Sequence, residues 1–196
     1  MSTIFSDPGW RRGTTLLGAE PIEYVDPDTQ LVPIAGRELA GQVKIFQDVD
    51  PSSGKRKSNR LVYCVAARYK GASTLDKDAG HAGKFVVFSD TNPLAEFAQF
   101  ADQADVDAGK AIGVLDEYLT VDVRKDDIVW VVVKGPAAPK KTGASVTAGA
   151  SISLPATANG GAVAATGAGQ TQIAQALETA DGSAAAVRVN VMSNHL

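Results

Sequence analysis

The segment from Gly109 to Gly135, GKAIGVLDEYLTVDVRKDDIVWVVVKG, constrains the fold of this chain more than any other. Ile112, Val114 and Leu115 open it, Val121 and Val123 alternate with Asp122 and Arg124, and Ile128–Val133 is an unbroken apolar run. Short bounded runs of β-branched and aromatic residues fit a pleated, buried surface. The charged Arg124-Lys125-Asp126-Asp127 tetrad breaks the runs where a hairpin would reverse. A β-rich scaffold follows from this stretch, and no reaction chemistry does.

Similar signals recur upstream. Gln42–Phe46 (QVKIF) alternates polar and apolar residues, as a half-buried strand does, and Arg60–Tyr69 (RLVYCVAARY) is long enough to pair with it across Asp48–Arg60. Asp48, Asp50 and Ser52 have the spacing that opens a calcium loop. The glycine, however, falls at Gly54 rather than at the sixth position, and no glutamate occupies the twelfth. The segment therefore reads as an exposed turn with a basic tip of Lys55, Arg56, Lys57 and Arg60. Lys84–Ser89 (KFVVFS) supplies a further strand. A helix is expected near 93–106, with Asn92 as cap, Pro93 in the first helical position and Leu94, Phe97, Ala98, Ala101 and Ala104 along one face.

The two ends differ in character from this middle. Residues 1–40 are broken by Asp7-Pro8-Gly9, Pro21, Asp26-Pro27-Asp28, Pro33 and Gly36. Such a segment is either disordered or an extended arm. Trp10, Leu16, Leu17, Ile22 and Tyr24 are too apolar for pure linker, which favours an arm that docks on its own domain or on a neighbouring subunit through those residues. After Pro136, alanine supplies about a third of residues 137–186, with only four charged side chains. A two-residue alternation persists through SVTAGASISLP, GGAVAAT and AAAVRVNVM, interrupted by Gln172–Thr179, and the closing strand puts Val187, Val189 and Val191 on one face. The expected organisation is an extended N-terminal arm over 1–40, a central β domain over 41–136 and an Ala/Gly-rich β module over 137–196 that shares its core. The fold class is mainly β, sandwich- or barrel-like, with one short helix. A weak echo links AIGVLDEY before VWVVVKG with QIAQALETA before AVRVNV.

Composition narrows the function. A net charge of −3 offers no electrostatic basis for binding nucleic acid or anionic membrane. No apolar run approaches the ~20 residues that span a bilayer, and the N-terminus MSTIFSDPGWRRG has no signal-peptide core. One cysteine, Cys64, cannot form an internal disulfide or a cysteine zinc cluster, and in LVYCVAA it reads as a buried structural thiol. Of two histidines, only His81 is placed to serve a nucleophilic site, since His195 is next to the last residue. The pairs Asp116/Glu117 and Asp126/Asp127 are adjacent, so on a strand they point to opposite faces, and they read as solvated turns. Gly167–Gln170 (GAGQ) lacks the lysine and the following helix of a phosphate loop. No catalytic residue, cofactor or metal is expected.

The pattern AIGVLDEY, then DDIVWVVVKG, then a Thr/Ala/Gly-rich β segment and a final IAQALETADGSAAAVRVNV resembles the capsid decoration, or cement, proteins of tailed bacteriophages over residues 109–196. That resemblance implies a β-rich protein on the outer surface of a virion. It would be made in the host cytoplasm, act as a symmetric homo-oligomer (dimer or trimer), and reinforce contacts between subunits of the major capsid protein. The alternatives are another virion part (a head fibre base, a minor capsid subunit or a tail component) or a cellular ligand-binding β domain using Trp10, Tyr24, Tyr118 and Trp130, although Trp130, within an apolar strand, reads as core.

Overall fold

The computed structural model describes residues 12–13, 40–76, 78–142, 145–157, 160–164 and 171–192. The chain is mainly β. Its first two strands, β1 (Val43–Val49) and β2 (Arg56–Tyr69), form the expected hairpin, with Val43 opposite Val65 and Ile45 opposite Tyr63. Then follow β3 (Phe85–Phe88), β4 (Glu96–Phe100), a short helix α1 (Gln103–Asp107), the one helix among the described residues, β5 (Ile112–Leu115) and β6 (Ile128–Ala137). Four short strands complete the described chain: β7 (Ser151–Ser153), β8 (Val163–Ala164), β9 (Ala174–Ala176) and β10 (Val189–Val191).

Strand pairing closes a small barrel. β2 lies antiparallel to β6, with Ala66 opposite Trp130, β6 pairs with β5, β5 with β3 and β3 with β4. β4 then returns to β2 in parallel, through Arg68 opposite Glu96 and Tyr69 opposite Phe97. Alternate residues from all five of these strands fill the interior. Val65, Ala67 and Tyr69 come from β2, Val86 and Phe88 from β3, Phe97 from β4, Leu115 from β5, and Val129, Val131 and Val133 from β6. Leu75, Leu119 and Val123, from the connections, join the same cluster. A closed ring leaves no barrel edge unpaired.

Residues of the opposite parity form a second core outside the barrel. Cys64, Ala66, Phe85, Val87, Val114, Ile128, Trp130 and Val132 pack there against Ile152, Leu154, Ile173, Ala174, Val187, Val189 and Val191. β2, β3, β5 and β6 are thus buried on both faces where they form the barrel, which is why Ile128–Val133 is continuously apolar rather than alternating, whereas β4 leaves Ala98 and Gln99 exposed. β6 carries the chain from one sheet to the other: its end pairs with β10, Val189 opposite Ala137, and β10, β9, β7 and β8 follow in order. Strand β6 therefore runs through position 136/137. Gly135 stands at this crossing with φ +96°, and a Cβ there would collide with the carbonyl oxygen of Leu61. Only glycine lets β6 turn that closely past β2.

The helix differs from expectation. Glu96–Phe100 is strand β4, and the helix occupies only Gln103–Asp107. Phe97, nearly fully buried, fills the barrel while its strand closes the ring, so tertiary pairing overrides the helical spacing of 93–106. Leu94, in the left-handed region at φ +64°, separates Asn92 from any helix. The cap is Asp102, whose Oδ1 accepts from the Asp105 amide at 3.0 Å while Asp105 Oδ2 accepts from the Asp102 amide at 3.2 Å. The reversal expected at Arg124–Asp127 is a turn in which Asp126 has φ +72°, but the connection from β5 to β6 is longer than a hairpin. Within it Val121 is exposed, and Val123 forms only an isolated bridge to Leu75.

Candidate docking surface

Trp10, Leu16, Leu17, Ile22 and Tyr24 lie outside the described residues, as does the GAGQ segment. Of 1–39, Arg12 and Gly13 are described, and both are buried against the loop that follows β5. Arg12 Nε donates to Asp116 Oδ1 at 3.1 Å, and its Nη2 lies 3.0 Å from the same oxygen and 3.4 Å from Glu117 Oε2. The Gly13 amide donates to Asp116 Oδ2 at 2.5 Å, and the Thr120 amide donates back to the Gly13 carbonyl at 3.3 Å. Gly13 has φ +94°, and a Cβ there would sit 2.8 Å from the Tyr118 carbonyl oxygen. Burial alone would lower the guanidinium pKa, but the carboxylates of Asp116 and Glu117 outweigh it and hold it above its ordinary value. Arg12 therefore stays charged, and Tyr118 covers it with its ring centroid 4.8 Å from Cζ.

This corrects the reading of Asp116/Glu117 as a solvated turn. Both side chains are buried and converge on Arg12, and Glu117 Oε2 also accepts from the Ala138 amide at 2.8 Å. The chain has left β5 by Asp116, so strand alternation no longer separates adjacent side chains. At the other pair, Asp126 is half-buried and its carboxylate lies 2.6 Å from Lys70 Nζ. Asp127 is buried, with Oδ2 accepting from the Arg124 amide at 2.7 Å. Burial pushes the Asp127 carboxyl above its ordinary pKa.

The surface that stands out belongs to the β1–β2 hairpin. Val43, Ile45 and Leu61 are 47%, 51% and 48% exposed, which is unusual for three large aliphatic side chains on one sheet face. QVKIF alternates as expected, yet the face carrying Val43 and Ile45 points outward. The opposite face is held inward by two contacts. Phe46 packs edge-on against Trp130 with ring centroids 5.2 Å apart. Asp48, buried, pairs with Arg188 and accepts from Ser58 Oγ at 2.5 Å. Because side chains alternate, seating Phe46 and Asp48 inside forces Val43, Ile45 and Gln47 outside. Leu61 stands opposite Gln47 and half-buried Tyr63 opposite Ile45, so the strip is two strands wide.

The hairpin tip is polar. Asp50, half-buried, accepts from the Ser52 amide and hydroxyl at 2.9 and 2.6 Å, and these bonds lower its pKa to about 2. That is the geometry of a turn, with Gly54 at φ +68°. Lys55, Arg56, Lys57 and Arg60 are exposed around it, with Lys57 Nζ 4.7 Å from the Tyr118 ring centroid. Gln47, Arg56, Ser58, Asn59, Arg60 and Leu61 line a shallow groove of about 260 Å³ continuous with the apolar strip.

The remaining residues singled out by sequence are structural in setting. Cys64 is fully buried, and burial pushes its thiol pKa well up. His81 packs its ring tilted on Phe100 at 5.2 Å, with its pKa lowered by burial and by Lys84. Trp130, 1% exposed, belongs to the core and not to a binding platform. Among the described residues, no group of three or more His, Cys, Asp or Glu side chains is arranged to hold a metal ion, and no helix is long and apolar enough to cross a membrane.

The sequence matches no protein-family model and no curated protein.

Proposed function

We propose that this chain is a structural virion protein that decorates and stabilises a phage capsid by binding the outer surface of its major capsid protein subunits, and that it acts as a symmetric homo-oligomer. The observation that carries the proposal is the outward-facing apolar strip of Val43, Ile45 and Leu61 on a hairpin whose inward face is anchored by Phe46 and Asp48. Exposed aliphatic side chains on a well-anchored strand pair are what a protein needs to seat on a repeated partner surface. Two further features support the reading. Four of the five barrel strands, β2, β3, β5 and β6, contribute to both cores, a stiff body suited to bracing a lattice. Residues 109–196 resemble cement proteins of tailed phages in their run of valine-rich strands and small residues.

The test is reconstitution. Purified protein is added to capsids stripped of it, and the melting temperature of the particle is followed. Saturable binding in register with the capsid lattice, with a raised melting temperature, is the expected result, and absence of binding overturns the proposal. Copy number per virion separates a decoration role from a tail or fibre role, because decoration requires stoichiometry with the capsid subunits. Mass in solution is expected to show a dimer or trimer.

A further inference from the structure

We infer that the outer face of the β1–β2 hairpin takes an extended, acidic and apolar segment of its partner polypeptide, with non-polar side chains seated on Val43, Ile45 and Leu61 and a carboxylate in the groove between Arg56 and Arg60. The inference rests on the capsid-binding reading for the identity of the partner, the major capsid protein, and adds the chemistry of the contact.

The charge distribution identifies the occupant. The chain carries net charge −3, yet Lys55, Arg56, Lys57 and Arg60 cluster at this one tip. The hairpin's own carboxylates are engaged elsewhere: Asp48 is buried with Arg188 and Ser58, and Asp50 holds the turn through Ser52 and Ser53. Among the described residues Arg56 is held in place by neutral partners, Nη2 donating to Gln47 Oε1 at 3.1 Å and Nη1 to Asn59 Oδ1 at 3.2 Å. Both amide oxygens orient the guanidinium without neutralising it, and the remaining N–H groups can meet a carboxylate in the two-pronged geometry that arginine favours. Arg60 lines the same groove.

The shape identifies the form of the occupant. From Val43 to Gln47 the strip runs about 13 Å, at ~3.3 Å per residue. An extended chain that places apolar side chains at alternate positions and a carboxylate two residues further matches the spacing of Val43, Ile45 and the Gln47–Arg56 groove. Lys134, its Nζ 5.6 Å from the Tyr63 ring centroid, adds positive charge beside the strip. A nucleic acid would use the cations but has no use for three exposed aliphatic side chains.

Two binding assays with the full chain test this, comparing wild type with Arg56→Glu/Arg60→Glu and with Ile45→Ser/Leu61→Ser. All four positions are exposed, so equal melting temperatures serve as the check that each variant is folded. The first assay is co-sedimentation with stripped capsids. The expected result is binding weakened about tenfold or more in each double variant, and weakened by salt in the wild type more than in the charge-reversed protein. Wild-type binding that both variants reproduce overturns the inference and leaves the capsid reading intact. The second assay uses an immobilised leucine–glutamate peptide, Leu-Ser-Leu-Ser-Glu, which puts both leucines and the carboxylate on one face of an extended chain, with the leucine–lysine peptide Leu-Ser-Leu-Ser-Lys and duplex DNA as comparisons. Capture by the leucine–glutamate peptide that depends on Arg56 and Arg60 supports the inference even where capsid binding fails, in which case only the capsid reading falls. Preference for duplex DNA, or no preference between the peptides, overturns it.

Discussion

Arg12 and Asp116, 104 residues apart in the sequence, form a buried pair in which guanidinium and carboxylate lie 3.0 Å apart, with the side chains 3% and 1% exposed. The pair fastens residues 12–13 to the loop that leaves the barrel, and Glu117, Tyr118 and Thr120 complete the fastening.

Replacing Arg12 should therefore cost more than a surface ion pair would. Arg12→Ala leaves Asp116 buried without its counter-charge, and the expected destabilisation is about 3 kcal/mol. Urea denaturation at neutral pH checks this. A loss under about 1 kcal/mol would mean that Asp116 gains water once the segment detaches, as exposed pairs do.

Trp130 lies where the two cores and the hairpin meet, opposite Ala66 and edge-on to Phe46. Trp130→Ala should destabilise by about 3–5 kcal/mol through the cavity it leaves. Trp130→Asp should prevent folding, because it buries a charge in the second core. A soluble Asp variant with unchanged melting would place this residue outside the core.

Gly135 permits β6 to pass from one sheet to the other. Gly135→Ala imposes a left-handed conformation on a residue with a side chain and drives its Cβ into the Leu61 carbonyl. A loss of about 2 kcal/mol or more is expected from strain and overpacking together. Gly54→Ala, also at positive φ but with open space around its Cβ, should cost only about 1 kcal/mol. Comparing their thermal melts separates backbone strain from collision.

His81 should make stability fall on mild acidification. Burial and then Lys84 depress its folded pKa below the ordinary value of 6.5, so the unfolded chain takes up a proton first. Stability is full above that value and declines as pH drops below it, until the folded ring also titrates. The urea midpoint should therefore decrease between about pH 7.5 and 5.5. His81→Phe, which keeps a ring against Phe100, should flatten this dependence. A slope that survives the substitution would assign it to another group.

The strands were legible because their information is local. β-Branched residues between turn signals mark β2, β3 and β6, and Val187, Val189 and Val191 on one face mark the closing strand, each buried as its spacing predicts. The two halves of the weak sequence echo each hold an antiparallel strand pair, β5 with β6 and β9 with β10. The segment 93–106 has spacing that satisfies a helix, but Phe97 gains more by filling the barrel beside Tyr69, 5.2 Å between rings. The docking face was half legible: QVKIF shows that one face is apolar, but not which face looks outward.

What the sequence determined by itself is the β character, the two-sided burial of Ile128–Val133 and the basic turn between β1 and β2, all set by neighbours a few residues apart. What the tertiary structure decided is the parallel closure of β4 on β2, the outward turn of Val43 and Ile45, and the pairing of Arg12 with Asp116 and Asp48 with Arg188. Those depend on partners far along the chain, and the period of a strand carries no record of which distant side chain will fill the space above it.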